Sequence, residues 1–198
     1  MDSSPLLSEL INTLQHLPGI GPKSAQRIAF QLLEKDRNKA RELAHAITAA
    51  IDHVGQCERC RTFSENALCA LCASTRRHHD TICVVESPLD VASIEQAGSF
   101  DGRYFVLMGR LSPIDGVLPE HLGLPALEEQ IASGETRELI VATSTTMEGE
   151  ATAHYLKQIA ERHEVKVTRI AHGVPFGGEL EFVDHSTLAH ALSSRHEF

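Results

Sequence analysis

"LIVATSTTMEGEATAHYL", residues 139–156, reads as an apolar strand, a sharp turn and a helix. A run of that kind delivers whatever follows it to the carboxyl-end rim of a sheet, where α/β proteins do their chemistry. A metal-dependent phosphoryl-transfer site needs carboxylates at that rim. Here Ser144, Thr145 and Thr146 come first, and acids appear only at Glu148 and Glu150.

The run has companions. "TICVVES" (81–87), "RYFVLMG" (103–109) and "VKVTRIA" (165–171) are short, β-rich and apolar, with helical stretches near 88–97, 124–133 and 148–163 between the strands. Such alternation predicts a parallel sheet with helices on both faces. The loop "GRLSPIDGVLPEHLGL" (109–124) is long and rich in Pro and Gly, which marks a functional or interface element. The tail "HGVPFGGELEFVDHSTLAHALSSRHEF" predicts a glycine turn, a short strand over "ELEFV" and a last helix capped by Asp184 or Ser186. Upstream the pattern is all-helical: residues 6–16, a helix running through Leu33, and residues 40–54. Fifty such residues bury little apolar surface alone, so this part is expected to dock on something else, such as a second subunit.

The chain has 198 residues, 42% of them apolar and 5% aromatic, enough for one ordinary domain with appendages. No run of eighteen apolar residues is present, so no membrane span is expected. "MDSSPLLSEL" lacks the basic and apolar segments of a signal peptide, which predicts a cytoplasmic protein. The net charge of −9 is unevenly placed. Residues 1–79 carry ten Lys/Arg against eight Asp/Glu, and residues 80–198 carry eight against nineteen. Polyanion contact is therefore expected on the N-terminal part, and repulsion from the remainder.

"CERCRTFSENALCALC" sets Cys57, Cys60, Cys69 and Cys72 as C-x2-C-x8-C-x2-C. Two residues between thiols let both sulfurs face one ion, and two such knuckles complete the closed tetrahedral shell of a structural Zn²⁺ site. Redox dithiols are the alternative. A closed shell leaves no open coordination position for catalysis. Cys83, inside "ICVV", reads as a buried small apolar residue, and "RRHHD" (76–80) as a solvated basic linker rather than a metal site through His78 and His79.

In "LPGIGPKSAQRI", Gly19 and Gly21 bracket Ile20, and Pro22 and Lys23 open the next helix. Glycines let backbone N–H groups approach a phosphate, and the helix N-terminus adds positive potential. Lys23 and Arg27, four apart, share a helical face beside the turn. This pattern is a helix-hairpin-helix, a sequence-independent binder of nucleic-acid backbone; a packing turn between two helices is the alternative. One hairpin neutralises few phosphates, so useful affinity requires several copies.

The order of hairpin, four-cysteine knuckle, βα domain and Gly-rich tail resembles the RecR recombination-mediator family over essentially the whole length. The segments that carry the likeness are "LPGIGPKSAQRIAF", the cysteine array, "VVES" with "DV" after it, "GRLSPIDG", "EGEATA" and "GVPFGGELEFVD". The resemblance implies a multi-domain α/β protein: a helix-hairpin-helix over 1–53, a C4 zinc finger over 54–79, a Toprim-type sheet over 80–175 and a C-terminal oligomerisation segment over 176–198. It implies one structural Zn²⁺ on the four cysteines and DNA contacts at Gly19, Gly21, Lys23 and Arg27. It also implies a homo-oligomeric, tetrameric ring in the cytoplasm, associated with the nucleoid. Its partners would be single-stranded, gapped and duplex DNA together with RecO and RecF, which help load recombinase onto gapped DNA.

Active Toprim enzymes carry a glutamate after the first strand and a D-x-D before an E-G-E. Glu86 fits the first position, with Asp90 one turn on, and Glu148, Gly149 and Glu150 keep the E-G-E, but Ser144 and Thr146 replace both aspartates. Hydroxyls do not bring the charge that Mg²⁺ needs. Glu86, Asp90, Glu148 and Glu150 are therefore expected to form an acidic rim that docks a basic partner, RecO by resemblance, or holds Mg²⁺ weakly without catalysis. The leading expectation is a non-enzymatic DNA clamp and adaptor. The alternatives are a Toprim nuclease or topoisomerase with a rearranged acidic site, and a purely structural zinc protein.

Overall fold

Proline opens the first two helices, at positions where its missing N–H has no intrahelical partner to lose. α1 spans Pro5–Leu14 and α2 spans Pro22–Glu34. α3, Arg37–His53, starts on Asp36, whose carboxylate accepts from the Lys39 N–H at 3.1 Å. The computed structural model describes residues 4–171 and 173–195. Residues 1–3 of the expected hairpin domain, His172 and residues 196–198 of the expected C-terminal segment lie outside the described residues.

The chain divides into two units, Met1–Gly55 and Gln56–Phe198. In the first, α1 packs on α2 and α2 on α3. Only Ala25 and Ala29 are buried there among the described residues. Leu43, Ile47 and Ile51 recur every four residues along α3 and remain 50%, 52% and 76% exposed. An apolar stripe of that spacing is the face a helix normally buries, so this unit keeps an unsatisfied apolar surface.

Downstream, β1 (Gly55–Gln56) pairs with β2 (Phe63–Ser64), and a single turn, α4 (Ala70–Ala73), follows. The main sheet then alternates with helices: β3 (Thr81–Val85), α5 (Pro88–Ala97), β4 (Arg103–Val106), α6 (Leu124–Ala132), β5 (Glu138–Ala142), α7 (Met147–Arg162) and β6 (Lys166–Arg169). The four strands are parallel in the order β4-β3-β5-β6, with Cys83 opposite Tyr104 and Ile140. The chain leaves β3 toward one edge and leaves β4 and β5 toward the other. Right-handed crossovers therefore put α5 on one face and α6 and α7 on the opposite one.

Side chains alternate between those faces. Ile82, Val84, Phe105, Leu107, Leu139 and Val141 join Leu127, Ile131, Leu156 and Ile159 in one core. Cys83, Val85, Tyr104 and Val106 point the other way, onto Val91 of α5 and onto Cys57, Cys60, Cys69 and Cys72. One helix is too little cover for a four-stranded sheet, and the cysteine knuckle completes that layer. Cys83 is only 2% exposed, as its apolar surroundings predict, and burial pushes its thiol up to about 12.

Two local expectations are corrected. "ELEFV" forms a 3₁₀ turn over Leu180–Phe182 rather than a strand. Its alternating pattern suits a pleated edge, but among the described residues no strand pairs with it, and an unpaired segment gains nothing from staying extended. Helix α8 (His185–Ser193) follows, capped by Asp184 as expected. The basic linker is not fully solvated either. Arg77 donates to the Gly102 carbonyl at 2.9 Å, pairs with Glu95 and lies 5.5 Å from the Tyr104 ring centroid. Tyr104 donates to Glu95 Oε1 at 2.6 Å, and burial first, then Glu95, raises its phenol, so it is no poised nucleophile. Among the described residues no helix is long and apolar enough to cross a membrane.

Candidate functional site

The four thiols of the knuckle lie within 4.8 Å of one another and are all buried, the only such group among the described residues. Cys60 Sγ and Cys69 Sγ are 3.5 Å apart. Sulfurs around a tetrahedral Zn²⁺ at ~2.3 Å stand roughly 3.8 Å apart, so the donor set fits that ion. The backbone makes the turns that converge them. Arg61 takes φ +65°, and the Arg61 N–H returns to the Cys57 carbonyl at 2.8 Å. Amides face the sulfurs: Cys69 N–H donates to Cys57 Sγ at 3.3 Å and Cys72 N–H to Cys69 Sγ at 3.5 Å. Burial opposes ionisation of Cys57, yet the N–H groups of Cys60, Cys69 and Arg59 outweigh it and bring that thiol to about 6. Cys60 is pushed the other way, by its hydrogen bond with Cys72 and by burial. Such a cluster favours one thiolate readily and needs a cation to hold four.

The knuckle is fastened to the sheet. Val106 N–H donates to the Cys60 carbonyl at 2.8 Å, and Gln130 Nε2 to the Arg59 carbonyl at 2.8 Å. Arg61 sends its guanidinium to the Leu122 carbonyl and lies 5.8 Å from the Phe105 ring centroid. Gly123 takes φ +68°, which other residues rarely adopt, and a Cβ there would displace the Arg61 guanidinium, whose carbon would lie 2.6 Å away.

In the first unit, the hairpin turn closes through Leu17 N–H to Leu14 O at 3.3 Å and Ile20 N–H to Leu17 O at 3.1 Å. Gly19 takes φ +79°, and Gly21 caps α2 without a side chain. A Cβ at either glycine would meet nothing within 4 Å, so the backbone is open to an incoming group. Ile20 is half-buried beneath the turn, while Lys23 and Arg27 are exposed on one face of α2. Among the described residues neither cation has an ion-pair partner.

The acidic rim lies where the strand order reverses, between the carboxyl ends of β3 and β5, the usual ligand crevice of open α/β sheets. Glu86 Oε1 accepts from the Ser144 N–H at 2.8 Å and from Ser144 Oγ at 2.9 Å. Thr146 caps α7, accepting from the Gly149 N–H at 3.2 Å. Asp90 is turned to its own helix, accepting from the Ser87 N–H at 2.8 Å in a capping box. Glu150 is bound by both η nitrogens of Arg169, each at 2.7 Å, and that contact raises the Arg169 guanidinium. Glu148 is exposed on the first turn of α7. The four acids thus share a rim without converging on one point.

Sequence reasoning missed the cations of this rim. Arg110 Nη1 donates to Ser144 Oγ and to Thr146 Oγ1, each at 3.2 Å, and stands 3.9 Å from Glu86 Oε2. Its place in the sequence, directly after the β4 run, is the available signal, since residues there reach the same rim as Glu86 and Ser144. Arg169, at the end of β6, carries the same signal.

Four family models match in chain order: the RecR helix-hairpin-helix over residues 7–51, the RecR four-cysteine zinc-finger domain over 54–74, the Toprim domain over 80–171, and the RecR C-terminal segment over 173–196. The chain is 54% identical over 194 residues to the Recombination protein RecR of Saccharophagus degradans, an alignment that covers 98% of each chain. The zinc-finger match and the four converging thiols assign one structural Zn²⁺ to Cys57, Cys60, Cys69 and Cys72.

Proposed function

The chain belongs to the RecR family of recombination proteins, and on that premise we propose that it is a non-enzymatic DNA clamp and adaptor in recombinational repair. It acts with RecO and RecF to help load recombinase onto gapped single-stranded DNA. The observation that carries this reading is the hairpin: two unobstructed glycines at the head of α2, with Lys23 and Arg27 exposed beside them. Phosphates meet backbone N–H groups and two cations there, with no base edge read, so single-stranded, gapped and duplex DNA are all substrates.

Oligomerisation supplies the repeated contacts that such a small site requires. It is supported by the uncovered α3 stripe and by exposed Phe176, Leu180, Phe182 and Leu192 in the C-terminal segment. A tetrameric ring satisfies both surfaces. The proposed division of the chain is 1–53, 54–79, 80–175 and 176–198, a reading supported by family matches over 7–51, 54–74, 80–171 and 173–196. The rim, where Glu148 is exposed on the first turn of α7, receives a basic surface of RecO. The protein works in the cytoplasm, at the nucleoid.

The test is retention of a gapped duplex by the zinc-loaded protein, read beside its solution mass. Lys23→Ala and Arg27→Ala are expected to lose retention while the mass stays that of the wild-type oligomer. Unchanged retention would leave a structural zinc protein, and Mn²⁺-dependent cleavage lost on Glu86→Ala would restore the enzymatic alternative.

A further inference from the structure

The Toprim-type sheet implies a divalent metal at the rim, and the donor set present does not fit one. Mg²⁺ takes near-octahedral oxygen ligands with one or two carboxylates facing it. Of the four rim acids, Glu86 is the one whose hydrogen bonds cross from the end of β3 to the loop after β5. Its Oε1 is committed to the N–H and hydroxyl of Ser144, and its Oε2 faces Arg110. Ser144 Oγ and Thr146 Oγ1, which stand at the two aspartate positions, both accept from Arg110 Nη1. Asp90 and Glu150 are held by Ser87 and Arg169.

We propose that Arg110 is the resident cation of this rim: its guanidinium takes the place of a divalent ion, joins the loops after β4 and β5 to the end of β3, and keeps the crevice closed to Mg²⁺. One η nitrogen reaches an oxygen from each of Glu86, Ser144 and Thr146, the residues an ion there would have to gather. The two hydroxyls suit a guanidinium as aspartates suit a metal. They accept hydrogen bonds without adding charge, so a single cation balances a single carboxylate. A doubly charged ion would enter against a fixed positive group, with too little negative charge to repay its dehydration. Arg110 is thus a positioning residue, and the change from aspartates to hydroxyls is matched by a cation supplied from the neighbouring loop. This assignment rests on the rim contacts alone and is independent of the proposed DNA role.

The test uses full-length, zinc-loaded protein and Mn²⁺ as the probe, with bound ion read from loss of the free Mn²⁺ electron-paramagnetic-resonance signal. Wild type and Ser144→Asp/Thr146→Asp are expected to show no saturable binding at millimolar Mn²⁺. The triple variant Arg110→Gln/Ser144→Asp/Thr146→Asp should bind one ion, at least about tenfold more tightly than the aspartate pair alone. Should circular dichroism show that the triple variant is unfolded, Arg110→Gln/Ser144→Asp compared with Ser144→Asp makes the same comparison. Stoichiometric Mn²⁺ binding by wild type that Glu86→Gln abolishes would overturn the proposal. So would equal affinities with and without Arg110 in the aspartate background. Neither result depends on DNA retention by Lys23 and Arg27, so this proposal and the clamp reading fail separately.

Discussion

Replacing Gly149 by alanine sets helix propensity against close packing, and the structure decides the sign. Gly149 is buried in the first turn of α7. By propensity alone, alanine in a helix interior is better than glycine by about 1 kcal/mol. The added methyl has no space, however. It would collide with the Ser144 carbonyl oxygen and lie 2.6 Å from Ser144 Oγ and 2.9 Å from the carbonyl carbon. The obstacle is backbone, held by Ser144 N–H to Glu86 and by Thr143 Oγ1 to the Gly149 carbonyl at 3.1 Å, so no side-chain rotation clears it. Overpacking of this kind costs about 1–3 kcal/mol and here exceeds the propensity gain, since helix and turn must separate. Because the obstacle is backbone, the cost lies in the upper part of that range, about 2–3 kcal/mol; less the gain of about 1 kcal/mol, the net loss of about 1–2 kcal/mol lowers the melting temperature by roughly 2–8 °C for a chain of this size. Thermal melts at fixed zinc and protein concentration measure it. Ser144→Ala in the same chain should recover little, because the carbonyl remains. A Gly149→Ala protein as stable as wild type would refute the reasoning.

Chelation of zinc should loosen the sheet as well as the knuckle, because Cys57, Cys60, Cys69 and Cys72 help cover the face that carries Cys83, Val85 and Val106. Apparent structural-zinc energies of about 10–16 kcal/mol are large enough for this, and hydrogen exchange confined to residues 54–79 after chelation would contradict it. Thr152→Val should cost about 1–3 kcal/mol in urea unfolding, since it strands the buried Leu111 N–H that now donates to Thr152 Oγ1 at 2.9 Å. Asp184, held below the usual carboxylate range by hydrogen bonds from Ser186 and then Thr187, stabilises α8 as the anion. That contribution is full above the ordinary value of 3.8 and fades as pH falls through the depressed value; an NMR titration placing Asp184 at 3.8 would remove it.

Much of this was legible from residues alone. The apolar runs at 81–85 and 103–106 announce themselves because strands buried on both faces have no polar alternation to conceal them, while 138–142 and 166–169 are only partly buried and are read from their β-branched residues and spacing. The cysteine spacing identified the knuckle for the same local reason: four ligands lie within sixteen residues of chain. What escaped was non-local. The knuckle's role as a layer over the sheet depends on Val106 meeting Cys60, and the Arg110 contacts join residues 34 and 36 positions apart. "ELEFV" misled because alternation specifies a face, while a strand also requires a neighbour. Gly149 was legible as part of a motif, but its reason, the backbone of Ser144 passing beneath α7, is a fact of packing.

The central claim, that this chain grips nucleic-acid backbone through its hairpin, is tested most directly by the salt dependence of gapped-DNA binding. Wild-type affinity should fall steeply with salt. Lys23→Ala/Arg27→Ala should flatten the log–log slope by about 0.9 for each duplex phosphate that no longer meets a cation, and by about 0.7 on single strands. Identical slopes and affinities for the two proteins would contradict it.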